Sequence, residues 1–166
     1  MIRLATILDV NEIMDIVKET IVDMDKNNNH QWNNEYPLIK DFEKDIENKE
    51  LYVIEEEGRV SGFACINKDE PIEYKDITWS KDKEAYIIHR LAIACKYRGR
   101  GNAYKLMKFA ESLAIENNIN YLKTDTMFSN PNAQKLFEKC GYKYAGILRF
   151  QGREIGRAHV WTPVTT

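Results

Sequence analysis

From Ala85 to Phe150 the hydrophobic pattern changes period four times, and that succession limits the fold more than any other feature of the chain. Ala85–Ala94 is strand-like and largely apolar, as expected of a central strand. Residues 101–117 then place Ala103, Leu106, Met107, Ala110, Leu113 and Ala114 on one helical stripe. Tyr121–Thr126 reads as a strand, and Asn130-Pro131 opens a second helix that presents Ala133, Leu136, Phe137 and Cys140. Gly141 is placed to end that helix as a left-handed cap, and Tyr142–Phe150 returns to strand spacing. Strand, helix, strand requires a crossover and so implies parallel pairing in this half.

The first half differs. After a short apolar start at Ile2 and Leu4, Asp9 can cap a helix carrying Val10, Ile13, Ile16, Val17 and Ile21 at helical spacing. The polar run Lys26–His30 breaks it, and Pro37 is placed to open a second helix in which Phe42 and Ile46 share a face. Leu51–Ile54 and Val60–Ile66, joined by a turn at Glu57-Gly58-Arg59, read as an antiparallel hairpin. Hairpin and crossover together predict an α/β fold with a mixed central sheet flanked by helices.

Bulk properties narrow the function. A chain of 166 residues suffices for one core, and 43% hydrophobic with 30% charged residues is ordinary globular usage. With a net charge of -2 and no basic block, the electrostatic attraction that drives nucleic-acid binding has no source. No stretch approaches the ~20 apolar residues that span a bilayer, so a cytoplasmic protein without nucleic-acid or membrane partners is expected. Cys65, Cys95 and Cys140 lie far apart and read as reduced thiols, and His30, His89 and His159 have no metal-ligand spacing. No metal is expected.

The ending stands apart. Glu154–Thr165 resembles the conceptual translation of a high-throughput-sequencing adapter, with that adapter's in-frame TGA codon read as Trp161. The expectation is therefore a single domain over residues 1–153, with 154–166 a sequence artefact in place of the gene's own last strand. The other reading is an edge strand of unusual composition.

Arg98-Gly99-Arg100-Gly101-Asn102-Ala103 lies between a strong strand and a strong helix. Its small residues leave backbone N–H groups uncovered where the helix dipole is positive, which suits a phosphate or pyrophosphate. The spaced Gly-Lys-Ser/Thr ending of a P-loop is absent, and Tyr104 occupies the last glycine position of GxGxxG. Nucleotide hydrolysis and dinucleotide binding thereby lose their main support.

With Arg98, Gly101 and Ala103 filling Arg/Gln-x-x-Gly-x-Gly/Ala, the chain resembles the GNAT superfamily of coenzyme-A-dependent N-acetyltransferases. Asn130, Ala133, Leu136, Phe137, Glu138, Lys139, Gly141 and Tyr142 fill a second pattern of that superfamily. The likeness covers Ile2 to Phe150, and the Gln31-Trp32, Tyr36-Pro37, His89-Arg90 and Asp125-Thr126 combinations resemble a general bacterial subgroup. It implies a mostly antiparallel sheet splayed between strands four and five to admit pantetheine, with acetyl-coenzyme A as cofactor. It also implies pyrophosphate on amides from Arg100 through Gly101, Asn102 and Ala103 to Tyr104, with Arg98, Gly99 and Asn130 also binding the cofactor. Leu91 and Ile93 would offer backbone partners to pantetheine, and Lys96, Arg98, Arg100 and Lys105 could pair with phosphates.

Acyl transfer needs a neutral amine, whereas an alkylamine with a pKa of ~10.4 is mostly protonated at neutral pH. Asp125 and His89 are the two candidates to remove that proton, alone, as a relay or through water. A backbone N–H near Leu91 or Ala92 is the expected oxyanion donor. Where much of the superfamily carries a tyrosine that protonates the leaving thiolate, this chain has Phe137, which leaves Tyr142, Tyr144 or water for that task. Trp32 and Tyr36 either wall the substrate site or are simply buried. The expected acceptor is a small-molecule or peptide amine, bound by a monomer or homodimer. The alternatives are an acyl-coenzyme-A-binding module without turnover and a transferase of another acyl group.

Overall fold

The computed structural model describes residues 1–163. Seven strands form one mixed sheet in the order β1-β2-β3-β4-β5-β7-β6. They are β1 (Ile2–Leu4), β2 (Leu51–Glu56), β3 (Arg59–Asn67), β4 (Tyr86–Ile93), β5 (Leu122–Met127), β6 (Lys143–Phe150) and β7 (Arg153–Trp161). Four α-helices accompany them: α1 (Val10–Lys26), α2 (Ile39–Glu47), α3 (Asn102–Glu116) and α4 (Pro131–Lys139). β4 and β5 are parallel, while β1–β2, β2–β3, β5–β7 and β6–β7 are antiparallel, as the crossover and hairpin patterns require.

The chain comprises two compact units, the first built from Met1–Ile66 with His89–Leu106 and the second from Asn67–Ile88 with residues from Met107 onward. In the first unit α1 buries Val10, Ile13, Ile16 and Val17. Of these, Ile13, Ile16 and Val17 meet Phe42, Leu51, Val53, Phe63 and Cys65 in one core, where Trp32 stacks on Phe63 at 6.5 Å and Phe42 meets the same ring edge-on at 5.3 Å.

Asp9 stands at the N-cap position of α1 as expected, but its side chain makes no cap bond there; the carboxylate reaches back to accept the Thr6 N–H at 2.7 Å and a bidentate Arg3 guanidinium at 2.8 and 2.9 Å. Pro37 lies outside α2, whose Leu38 cap is closed by Asp41 accepting the Leu38 N–H at 2.7 Å. In both cases a carboxylate three residues inside the turn reaches an orphan amide, which the apolar spacing alone does not reveal.

In the second unit Tyr74, Ile77, Ile87, Leu148 and Ala158 form one cluster, and Ala85, Tyr121 and Val160 another. Gly141 has φ +84, and the amides of Gly141 and Tyr142 return to Glu138 O and Phe137 O at 2.9 Å, the paired bonds of a left-handed helix end. Residues 153–161 lie between β5 and β6, with Asp125 opposite Ala158 and Leu148 opposite Gly156. The β4–β5 ladder registers only Tyr86 with Leu122 and Ile87 with Lys123. One residue further on, the Thr124 hydroxyl rather than a backbone amide donates to Ile88 O, at 3.2 Å.

Candidate active site

The first unit holds the glycine loop. A short 3-10 turn, Cys95–Tyr97, buries Tyr97 and leads into Arg98–Gly101, from which α3 starts. Gly99 (φ +75) and Gly101 (φ +82) adopt left-handed backbone that only glycine takes without strain. A Cβ on either would meet no atom within 4 Å beyond the residue's own chain neighbours, so conformation rather than packing demands glycine, and the backbone lies open to an approaching group. Lys105 N–H bonds Gly101 O at 3.0 Å, which puts the Asn102 and Ala103 amides in the turn that this bond closes.

Carboxylates from elsewhere in this unit steady the loop. Glu56 at the end of β2 accepts Arg100 Nη1 at 2.7 Å and Asn102 Nδ2 at 3.0 Å, and the same Asn102 amide reaches Tyr97 O at 3.2 Å. These two bonds hold the Glu56 carboxyl below its ordinary pKa. Arg98 pairs with Asp23 and donates to Ile93 O at 3.2 Å. Lys96 and Lys105 are exposed. Two of the four cations expected to serve a phosphate are therefore engaged by carboxylates.

β4 carries His89, Leu91 and Ile93, all partly buried. Between them Arg90 has φ +50, uncommon for a residue with a side chain and costing on the order of 1–3 kcal/mol. Its guanidinium explains how that backbone is retained. Arg90 donates to Asp45 Oδ2 at 3.1 and 2.5 Å and to the Tyr36 hydroxyl at 2.7 Å. Asp45 also lies with Glu50 and Cys65 in a group of three metal-capable side chains, but the Arg90 charge already stands against its carboxylate. Tyr36 is 37% exposed, whereas Trp32 is 4% exposed and packed in the core.

The second unit holds Asp125 and Asn130. Asp125, on β5, is partly buried, and its Oδ2 accepts the hydroxyl of Tyr74 at 2.6 Å. Burial raises its pKa, opposed by the Tyr74 hydrogen bond and reinforced by the charge of Glu73. The Asn130 carbonyl caps α4 by accepting Ala133 N–H at 3.2 Å. Phe137 is buried with its ring 6.1 Å from that of Tyr142. The Tyr142 hydroxyl has no hydrogen-bond partner among the described residues, and burial keeps its pKa well above the usual phenol value. Tyr144 is exposed.

Glu56, the Arg90–Asp45 pair and Tyr74, which contact the loop, β4 and Asp125, were not among the residues the sequence pointed to. Each acts across 45 or more residues of chain, and no local spacing announces it.

Comparison with known proteins agrees with the fold. Residues 13–142 match the model of the acetyltransferase (GNAT) family, and the chain belongs to that family, whose cofactor is acetyl-coenzyme A. A GNAT-family acetyltransferase from Streptococcus agalactiae is 26% identical with a TM-score of 0.85, covering 99% of this chain and 96% of its own. An acetyltransferase from Salmonella typhimurium, solved with its cofactor acetyl-CoA, shares the fold at a TM-score of 0.72 and 15% identity, over 98% of this chain and 92% of that one. Streptothricin acetyltransferase from Escherichia coli is 30% identical over 63 residues, 38% of this chain; the match spans 36% of that relative's length.

Proposed function

We propose that this protein is an N-acetyltransferase that moves the acetyl group of acetyl-coenzyme A directly to a primary amine of a small molecule or peptide. The loop carries the reading: two left-handed glycines, on which a Cβ would meet nothing within 4 Å beyond their chain neighbours, lead into α3. Its amides from Arg100 to Tyr104 suit a pyrophosphate, and Leu91 and Ile93 offer the backbone of β4 to the pantetheine amides. Exchange of Arg98 and Arg100 from Asp23 and Glu56 to phosphate keeps both charges paired.

In the reaction the amine nitrogen attacks the thioester carbonyl carbon, forming a C–N bond while the carbonyl electron pair moves to oxygen. A β4 amide at Leu91 or Ala92 is the donor for that oxyanion, next to the left-handed turn at Arg90. Collapse breaks the C–S bond, and the departing thiolate takes up a proton. The amine's own proton goes to Asp125 or His89. A carboxyl whose pKa is raised by burial is a better acceptor near neutrality than an ordinary aspartate. Holding amine and thioester together supplies much of the rate. Tyr36 offers an exposed ring to the acceptor, and Trp32 shapes that wall from within the core. None of these residues lies in 154–166.

Thiol release from acetyl-coenzyme A across polyamines, amino acids, aminoglycosides, peptides and streptothricin tests the proposal. Amine-dependent release is expected. Binding of coenzyme A without release for any amine would favour the non-catalytic module, a reading supported by apolar Phe137 at the superfamily's tyrosine position. Release only from propionyl- or succinyl-coenzyme A would reassign the donor.

A further inference from the structure

Tyr74 sits in a 3-10 turn, Ile72–Asp76, on the connection between β3 and β4, and is 1% exposed. Its placement is fixed from several directions. Its N–H bonds Pro71 O at 3.0 Å, and its carbonyl accepts Ile77 N–H at 3.2 Å and Trp79 Nε1 at 3.0 Å. The Trp79 ring lies 5.0 Å from its own, and Lys123, paired with Glu70, stands 4.1 Å above the Trp79 ring. From that fixed phenol a single short bond, 2.6 Å, goes to Asp125 Oδ2.

A buried tyrosine hydroxyl needs an acceptor, but a backbone carbonyl or an asparagine would meet that need without placing a charge away from water. The expensive choice is the carboxylate, and the residue arranged to make it tolerable is Tyr74. We propose that Tyr74 is the positioning residue of Asp125: its phenol holds Oδ2, so that Oδ1 faces the amine, and it keeps the carboxylate able to release its proton after each turnover. The proposal rests on Asp125 being the proton acceptor.

The charges around the pair fix the sign of the effect. Glu73 faces Asp125 from the Tyr74 turn, Ala158 opposite it on β7 is apolar, and Glu70 and Glu73 face Tyr74. Burial and Glu73 both raise the Asp125 pKa, and the Tyr74 bond alone opposes them. The same surroundings hold the phenol protonated well beyond its usual range, so Tyr74 is always the donor. Removing its hydroxyl leaves only the raising influences, and Asp125 must titrate at higher pH.

The test is a pH titration of the Asp125 carboxyl carbon by NMR in the full chain labelled at aspartate, the signal being identified by its loss in Asp125→Asn. Tyr74→Phe is expected to move the midpoint up by about one to two pH units, the worth of a hydrogen bond to a charged group. In the kinetic assay the acidic limb of kcat/KM should move with it, while the KM for acetyl-coenzyme A stays the same. An unmoved midpoint in folded Tyr74→Phe overturns the proposal. Should Tyr74→Phe not fold, global replacement of tyrosine by 3-fluorotyrosine serves instead. Its more acidic phenol should lower the midpoint, and no shift would again overturn the proposal. Full turnover by Asp125→Asn would overturn the proton-acceptor reading, and the positioning role with it, even with the midpoints coupled as expected; loss of turnover with an unmoved Tyr74→Phe midpoint sinks the positioning role alone.

Discussion

The glycine loop of the first unit and the Tyr74–Asp125 pair of the second do different physical work. In the proposed function the loop acts through backbone: left-handed φ at Gly99 and Gly101, at the start of α3. Such a device is encoded by residues adjacent in sequence, and few sequences satisfy it. The pair joins side chains 51 residues apart, and the role proposed for it depends on burial that neither residue specifies alone. Function carried by backbone tolerates change in the side chains around it, whereas function carried by a buried carboxylate does not.

That contrast can be broken first at Asp125. Asp125→Asn and His89→Gln should lower turnover by roughly 10²–10⁴-fold with coenzyme A affinity unchanged, read by steady-state kinetics and calorimetry. If the two form one relay, their losses combine less than additively. Next in size is Asp45→Ala. It strips the buried partner of Arg90 and should cost about 3–5 kcal/mol in a denaturant titration, because a guanidinium is left without its carboxylate.

Two carboxylates with opposite shifts sharpen the comparison further. Asp9, beside Arg3, has its pKa lowered, so its contribution to stability is present above the unfolded value of ~3.9 and lost as pH falls through the lower folded value. Asp125 has its pKa raised, so stability declines as pH rises from ~3.9 through the higher folded value. Melting temperatures at neutral pH should therefore fall for Asp9→Asn and rise for Asp125→Asn, and both differences should vanish in acid. A rise in melting temperature with loss of turnover would mark Asp125 as a group kept for chemistry. Smallest are the surface cations: Arg98→Ala and Arg100→Ala should each weaken coenzyme A binding only several-fold, and less at high salt, because each trades one carboxylate for a phosphate.

The sequence made the strand and helix order legible because the apolar period changes where the elements change, and the Gly141 helix end because only glycine takes φ +84 freely. It placed the start of α1 correctly but not the bond made there, since Asp9 folds back on Thr6, and it placed the start of α2 two residues early, at Pro37, where Asp41 folds back on Leu38. Glu56, Asp45 and Tyr74 were illegible for one reason. A distant acidic or phenolic side chain looks like any surface residue until the fold brings it to its partner. Residues 153–161 pose a separate question. Pairing with β5 and β6 says where this segment sits and not where it comes from, so the origin of residues 154–166 must be read at the locus. We propose that they come from the adapter they resemble, and recovery of these codons by sequencing without that adapter would refute this.

The central claim, that the loop is a coenzyme A cradle made of backbone, is tested most directly by calorimetric titration of coenzyme A into Gly101→Glu and, as control, Gly58→Glu. Both glycines have left-handed φ and open space, so both variants carry the same backbone strain, but Gly58 lies in the β2–β3 turn. Loss of binding in folded Gly101→Glu with wild-type affinity in Gly58→Glu is the predicted result. Unchanged affinity in Gly101→Glu would contradict the account.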